Sequence, residues 1–256
     1  MSRITQKGAT GPLALTANGL FQTSTDTSLT TLVGSRWDLS DGREVMLVLP
    51  SSATAIAAGK VYQDAAVVAN HQNVAVTAYQ AYSANGNVPA KVTVTLGATA
   101  ATANQYAGGF AVVNAGTGIG QTLRIASHPA ANSSGSLAIT LEDGANVALD
   151  TTSKICLISA HGYNVIIAPT TLTGAVAGVG LYAVAASTYG FIVTKGITSA
   201  LANGAIAINS PISPSVSVAG AVSQTPYSTN LVTGAVIGYA SQAGVDTESR
   251  SVFVNV

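Results

Sequence analysis

The sequence predicts an all-β protein, built of sandwich- or barrel-like β domains behind an extended amino-terminal arm. Three observations carry that expectation. Short alternating or wholly apolar runs recur along the chain, each bounded by Gly, Asn, Ser or Pro turn signals, as in a sandwich or barrel. Small and β-branched residues dominate, with 26 glycines and only 5% aromatic residues, and Val and Thr favour strands. Long helical runs of Leu, Glu and Lys are missing.

Residues 1–35 hold turn formers without a sustained period, as in "KGATGPLALTANGLFQTSTDTS". They are expected to form the arm, which cannot bury its own apolar residues and would lie on a partner or stay mobile. A first β-rich domain is expected over 36–165. It opens with "DGREVMLVLP", a turn entering a strand that Pro50 closes, then "ATAIAAGKVYQ", a small-residue turn and a second strand. "NVAVTAYQAY", "PAKVTVTLG", "GGFAVVN", "QTLRIASH", "LAITLED" and "VALDTTSKICLIS" supply further strands, and "KVTVTLG" alternates Val with Thr at period two, as a half-buried strand does. A second β-rich, barrel-like domain is expected over 166–256. It carries "YGFIVTKG", "NGAIAIN", "VSVAGAV", "TGAVIGYASQAG" and "SRSVFVNV". "GAVAGVGLYAVAA" reads as a glycine-rich loop running into a buried strand; it is shorter than the roughly 20 apolar residues that span a bilayer. No strict internal repeat is apparent, only a loose echo of "GAVAG" and "ANGAIA" that composition alone would produce.

Charge narrows the function classes. Only 8% of residues are charged, ten basic against ten acidic, compared with about 25% in an average soluble protein. No basic stripe serves nucleic acid, whose phosphates need clustered Lys and Arg. Beyond Lys154 the next charged residue is Lys195, and the next is Asp246. So charge-poor a surface is awkward for a soluble monomer and is expected to be covered by other subunits. The single cysteine, Cys156, excludes an internal disulfide and reads as a buried strand residue. With no signal peptide in "MSRITQKGAT", folding in a reducing cytoplasm is expected.

The motifs that suggest chemistry dissolve under inspection. "NAGTGIG" has the alternating glycines of a nucleotide loop, but a strand pattern, "QTLRIAS", follows it where a helix is needed. The closing Lys of a P-loop is absent, so a hairpin loop with glycines at positive φ is expected. His71, His128 and His161 lie in separate contexts and read as loop or edge residues, not metal ligands. Glu142 with Asp143, and Asp246 with Glu248, read as turn residues, with Asp246 pairing Arg250. No cofactor, metal or catalytic residue is expected. Trp37, the only tryptophan, sits among Arg36, Asp38, Asp41, Arg43 and Glu44. It reads either as a cap on the core or as an interface anchor, since Trp and Arg are enriched at hot spots.

Several stretches together resemble the head decoration, or cement, proteins of tailed bacteriophages. They are "DGREVMLVLPSSATAIAAGKVYQ", the run from "VTVTLGATA" through "LEDGANVAL", "YGFIVTKGITSALANGAIAINSPISPSVSVAGAV" and the ending "TGAVIGYASQAGVDTESRSVFVNV". The resemblance implies a structural virion protein, made in the bacterial host cytoplasm and bound to the outer surface of the capsid. There it would bridge subunits of the major capsid protein as a homotrimer, engaging neither nucleic acid nor membrane. Arg3 and Lys7 of the arm, with Arg36, Trp37 and Arg43, are the expected partner contacts. A fibre, spike or receptor-binding component is the rival reading. An enzyme is the third, and no pair of titratable groups stands in a catalytic constellation to favour it.

Overall fold

The computed structural model describes residues 4–6, 21–83, 88–225 and 235–256. The all-β expectation holds: strands and turns make up nearly all of the described chain, with two short 3-10 helices at Thr27–Leu32 and Ala69–His71. The domain division differs from the expected cut at 165. One compact unit joins residues 33–65 to 162–256, and residues 66–161 form the other as an insertion. The strands before and after the insertion explain this, because β11 (Tyr163–Ile167) pairs with β3 (Glu44–Pro50) and β4 (Val61–Gln63). A composition-based boundary cannot see such a return.

The inserted unit is a closed six-stranded barrel. Its strands are β5 (Val74–Gln80), β6 (Lys91–Thr95), β7 (Phe110–Ala115), β8 (Thr122–Ser127), β9 (Ser136–Leu141) and β10 (Lys154–Ile158). Alternation does the sorting: Val92 and Val94 point inward from β6 while Lys91 and Thr95 face solvent. Inside, Val76, Val92, Val94, Ile125, Leu137, Ile139 and Ile155 share one core. The β7–β8 hairpin carries Gly116, Gly118 and Gly120, all at positive φ. "NAGTGIG" is therefore a hairpin loop, as its sequence suggests.

The other unit contains an eleven-stranded sheet, whose pairings close twice. The first ring uses β3, β4, β11, β12 (Val176–Gly180) and β13 (Gly190–Leu201), with β13 returning to pair with β3. The second uses β13 again, then β14 (Pro211–Pro214), β15 (Val222–Gln224), β16 (Gly238–Ala240) and β17 (Ser249–Asn255). The last five residues of "GAVAGVG" are thus strand β12, while "NGAIAIN" forms only a single bridge at Ile206 followed by a turn.

The two rings have one topology. In each, the first strand meets the third in parallel, by β3–β11 and by the Ala202–Val222 bridge just beyond β13. The third then pairs with the second, the second with the fourth, the fourth with the fifth and the fifth with the first, all antiparallel. Register agrees residue by residue. Gly178 faces Tyr62 as Gly238 faces Ile212, and Val179 lies between Val61 and Val193 as Tyr239 lies between Pro211 and Phe253. Reciprocal backbone bonds join Ile56 to Val184 at 2.8 and 3.0 Å, and Ile206 to Gly244 at 3.0 and 2.8 Å. Three residues after each bridge residue comes one at positive φ: Gly59, Ser187, Asn209 and Thr247. The inserted barrel uses the same device at Ala101–Ala131, followed by Asn104 and Ser134. An internal structural repeat therefore exists, and "GAVAG" and the "AIA" of "ANGAIA" each belong to one copy of it.

The amino-terminal segment is partly built into this unit. Ile4–Gln6 forms β1, antiparallel to β2 (Arg36–Leu39), which lies along β3. Residues 1–3 and 7–20 lie outside the described residues. From residue 21 onward the expected free arm is corrected, because Leu29 and Val33 are buried and Ser24 exchanges backbone bonds with Tyr189. These apolar side chains find cover within the chain.

Candidate interaction surface

Arg3 and Lys7 lie outside the described residues. The other three expected contact residues are placed by strand β2 and the turn into β3, and each is engaged within the chain. Trp37 is fully buried, edge-on to Phe191 at a ring-centroid distance of 5.3 Å. As an interface anchor it is corrected: the ring sits beside Val45 in register and offers no surface to a partner. Among the described residues its Nε1–H has no hydrogen-bond partner. Arg36 donates from Nη1 to Glu44 Oε1 at 2.9 Å and to the Val256 carbonyl at 3.1 Å. Arg43 grips the Asp41 carboxylate through Nε and Nη2 at 2.9 and 2.6 Å, and that bond holds the Asp41 carboxyl below the usual carboxylate range. These bonds hold the turn and the chain end.

The titratable groups are likewise structural. His71 and His128 lie in connecting segments, as expected, at the end of the short 3-10 helix and just past β8, yet both are buried in the inserted barrel, at 0% and 3% exposure. Tyr106 lies between them, edge-on to His71 and tilted against His128, and the three rings form a polar cluster. His128 Nε2 accepts the Tyr106 backbone N–H at 3.0 Å, while Nδ1 lies 2.8 Å from the Pro129 carbonyl. A carbonyl only accepts, so His128 is neutral with its proton on Nδ1. Burial pushes its pKa below the ordinary histidine value, with the neighbouring His71 acting in the same direction. His71 joins the Tyr106 hydroxyl at 2.5 Å and the Thr99 carbonyl at 2.9 Å.

Asp150 shows the opposite case. It accepts from the Thr152 and Thr117 hydroxyls at 2.6 and 2.7 Å and from the Thr152 N–H at 2.8 Å, which takes its pKa down to about 2. The bond to Thr117 ties this loop to the β7–β8 hairpin. Asp246 does not pair with Arg250: it accepts the Gly204 N–H at 2.8 Å, and Arg250 pairs with Glu248. Glu142 pairs with Arg124 at 2.9 Å. Among the described residues no three His, Cys, Asp or Glu side chains gather into a metal cluster, and no helix is long and apolar enough to cross a membrane.

What the sequence reading missed is a row of apolar side chains on the outside of the second ring. Ile197 on β13, Phe253 on β17 and Tyr239 on β16 stand opposite one another across three neighbouring strands. They are 57%, 41% and 51% exposed. Pro211 continues the row on β14. Ile208, Val216 and Val245 are exposed in the same uncharged stretch. A signal was present: in "SVFVNV" the two central valines take the inner face, which turns Phe253 outward. No protein-family model, curated protein or solved structure matches the chain.

Proposed function

We propose that this chain is a non-enzymatic structural protein of a tailed-bacteriophage virion. In this reading it decorates the outer face of an icosahedral head and stabilises it by bridging major capsid subunits. The carrying observation is the outward-facing apolar surface of the second ring, where Ile197, Tyr239 and Phe253 stand exposed in one row and Ile208, Val216 and Val245 are exposed in a stretch without a charge from Gly196 to Val245. Isolated exposed apolar residues are ordinary, but a contiguous set across neighbouring strands marks an interaction face. Its mechanism would be multivalent: modest contacts repeated over a lattice sum to firm attachment without a deep pocket. The described ionisable side chains support a scaffold, since Asp41, Asp150, Asp246 and His128 are each spent on holding a turn, a loop or a core.

The test is the number of copies per particle, measured by quantitative mass spectrometry of purified virions against the major capsid protein. A copy number comparable with that protein is expected. A few copies per particle would replace this reading with a fibre, spike or vertex component. Absence from the particle would overturn both.

A further inference from the structure

In the closed order β10-β5-β6-β9-β8-β7, strands β6 and β7 stand on opposite sides of the inserted barrel. The connection between them, residues 96–109, therefore spans one end of the barrel, where β5 begins and β8 finishes. From this span Tyr106 enters the core. It is 2% exposed, and it is the one aromatic ring among the buried members of a cluster otherwise made of Val, Leu, Ile and Ala. Strand pairing closes the wall of a barrel but not its ends; here a connection with an aromatic plug closes one of them.

Two histidines hold the span from opposite sides, His71 from ahead of β5 and His128 from just past β8. His71 donates from Nε2 to the Thr99 carbonyl at 2.9 Å and accepts the Tyr106 hydroxyl at Nδ1, 2.5 Å away. His128 accepts the Tyr106 backbone N–H at Nε2. Its backbone also donates to Asn104 Oδ1 and accepts the Asn104 N–H, each at 3.0 Å.

The two grips answer a proton differently. A hydroxyl can turn from donor to acceptor, so the contact between His71 and Tyr106 survives either protonation state. A backbone N–H only donates, so a second proton on His128 sets two donors against each other. The groups facing the His128 ring are Tyr106 from the span, His71 from the 3-10 helix and the Pro129 carbonyl from the segment that follows, and none is a carboxylate.

We infer that residues 96–109 are a proton-released lid, which protonation of His128 unfastens to bare the apolar interior of the barrel. The closed lid leaves no place for the second proton; the open lid admits it, because His128 then stands in water. Burial, with His71 acting in the same direction, holds the His128 pKa of the closed state below the ordinary histidine value. Closure is therefore full above about pH 6.5 and weakens as pH falls through that value. The lid belongs to the barrel alone and is independent of the proposed virion role.

The test is hydrogen exchange of the full chain at pH 7.5 and 5.5, corrected for intrinsic rates, with peptides from residues 97–109 set against those of β6 and β9. The lid should be the less protected at both pH values, and its open population should rise about tenfold on acidification. Two variants separate sensing from holding. His128→Gln, whose carboxamide keeps both bonds without titrating, should abolish the rise. Tyr106→Phe gives up the hydroxyl bond to His71 but keeps the backbone N–H; it should open the lid about tenfold further at both pH values and leave the rise intact. A lid as protected as β6 and β9, a rise that persists in His128→Gln, or a rise lost in Tyr106→Phe overturns the inference. If His128→Gln fails to fold, the ring signals of the three histidines of the parent are followed by NMR. One signal titrating below the ordinary value, together with the rise in lid exchange, supports the lid, and three ordinary titrations overturn it.

Discussion

Acidification should loosen the inserted barrel before it affects the strands of the other unit, and His128 is the group that makes it so. In the folded barrel Nε2 accepts the Tyr106 N–H and Nδ1 donates to Pro129, so a second proton has no place without breaking the first bond. The groups facing the ring are Tyr106 and His71, and neither is a carboxylate. Its pKa is lowered by folding, so the unfolded chain takes up the proton first. Stability is therefore full above the unfolded value near 6.5 and falls as pH drops through and below it, until the lowered folded value is reached. The slope is bounded at about 1.4 kcal/mol per pH unit for one group. Between pH 7.5 and 5.5 the barrel should lose up to about 1.4 kcal/mol, a tenfold rise in its open population.

Hydrogen exchange read by mass spectrometry, corrected for the intrinsic pH dependence of exchange, resolves peptides from β7, β8 and β9 separately from those of β13 and β17. The variant His128→Gln supplies the comparison, because the carboxamide can accept from Tyr106 and donate to Pro129 without titrating. The parent barrel should exchange about tenfold faster at pH 5.5 than at 7.5 in excess of the variant. Equal pH dependence in parent and variant would refute the reasoning.

Three further outcomes follow from the repeat and the core. Gly178→Ala and Gly238→Ala should each cost about 3 kcal/mol, since φ is 149° and 154° and an added Cβ would run into the carbonyl of Val193 or Phe253; chemical-denaturation midpoints equal to the parent's would refute the clash. Replacing residues 66–161 with a short glycine-serine linker should leave the remaining unit folded, because Gly162 already donates to the Asp64 side chain at 2.8 Å across the excised ends; loss of the native Trp37 emission would count against it. Trp37→Phe should change stability by less than about 1 kcal/mol, as the lost volume is offset by removing a buried donor, whereas Trp37→Ala should cost about 3–5 kcal/mol by cavity formation; thermal melts of the pair distinguish the two effects.

Strand positions were legible where one face is wet. β5, β6, β8 and β9 alternate because the barrel sorts Val, Leu and Ile inward and Thr, Lys and Arg outward. The division of the chain was not legible, since composition records neighbours in sequence and the return of β11 to β3 does not. The repeat escaped for a different reason. Aligned without a gap, residues 173–196 and 233–256 share Thr173, Gly174, Ala175, Val176, Gly178 and Ala183 with Thr233, Gly234, Ala235, Val236, Gly238 and Ala243, five of the six within one short phrase and almost nothing beyond it. What the two copies keep is backbone geometry, and positive φ is served by Ser187 in one and Thr247 in the other. Of the expected contact residues, Trp37 misled because its charged neighbours imply a surface. In fact β2 alternates, turning Trp37 and Leu39 inward while Arg36 and Asp38 stay partly exposed.

Ring closure is also what lets so uncharged a chain exist as β structure. An exposed strand edge is a template for uncontrolled pairing, and proteins usually blunt it with lysine, proline or a covering segment. This chain has ten basic residues in all, and the two rings carry few of them, Lys195 on β13 and Arg250 on β17 among them. Closing β5 to β10 into a barrel, returning β13 to β3 and bringing β17 back to β13 pair nearly every strand on both sides. The sheet order then ends only at β1 and β15, and the Ala202–Val222 bridge covers part of β15. Edges pair with any strand, whereas an apolar sheet face packs well only against a surface of matching shape, so closing the rings removes the less selective of the two hazards without the charges that ordinarily prevent aggregation.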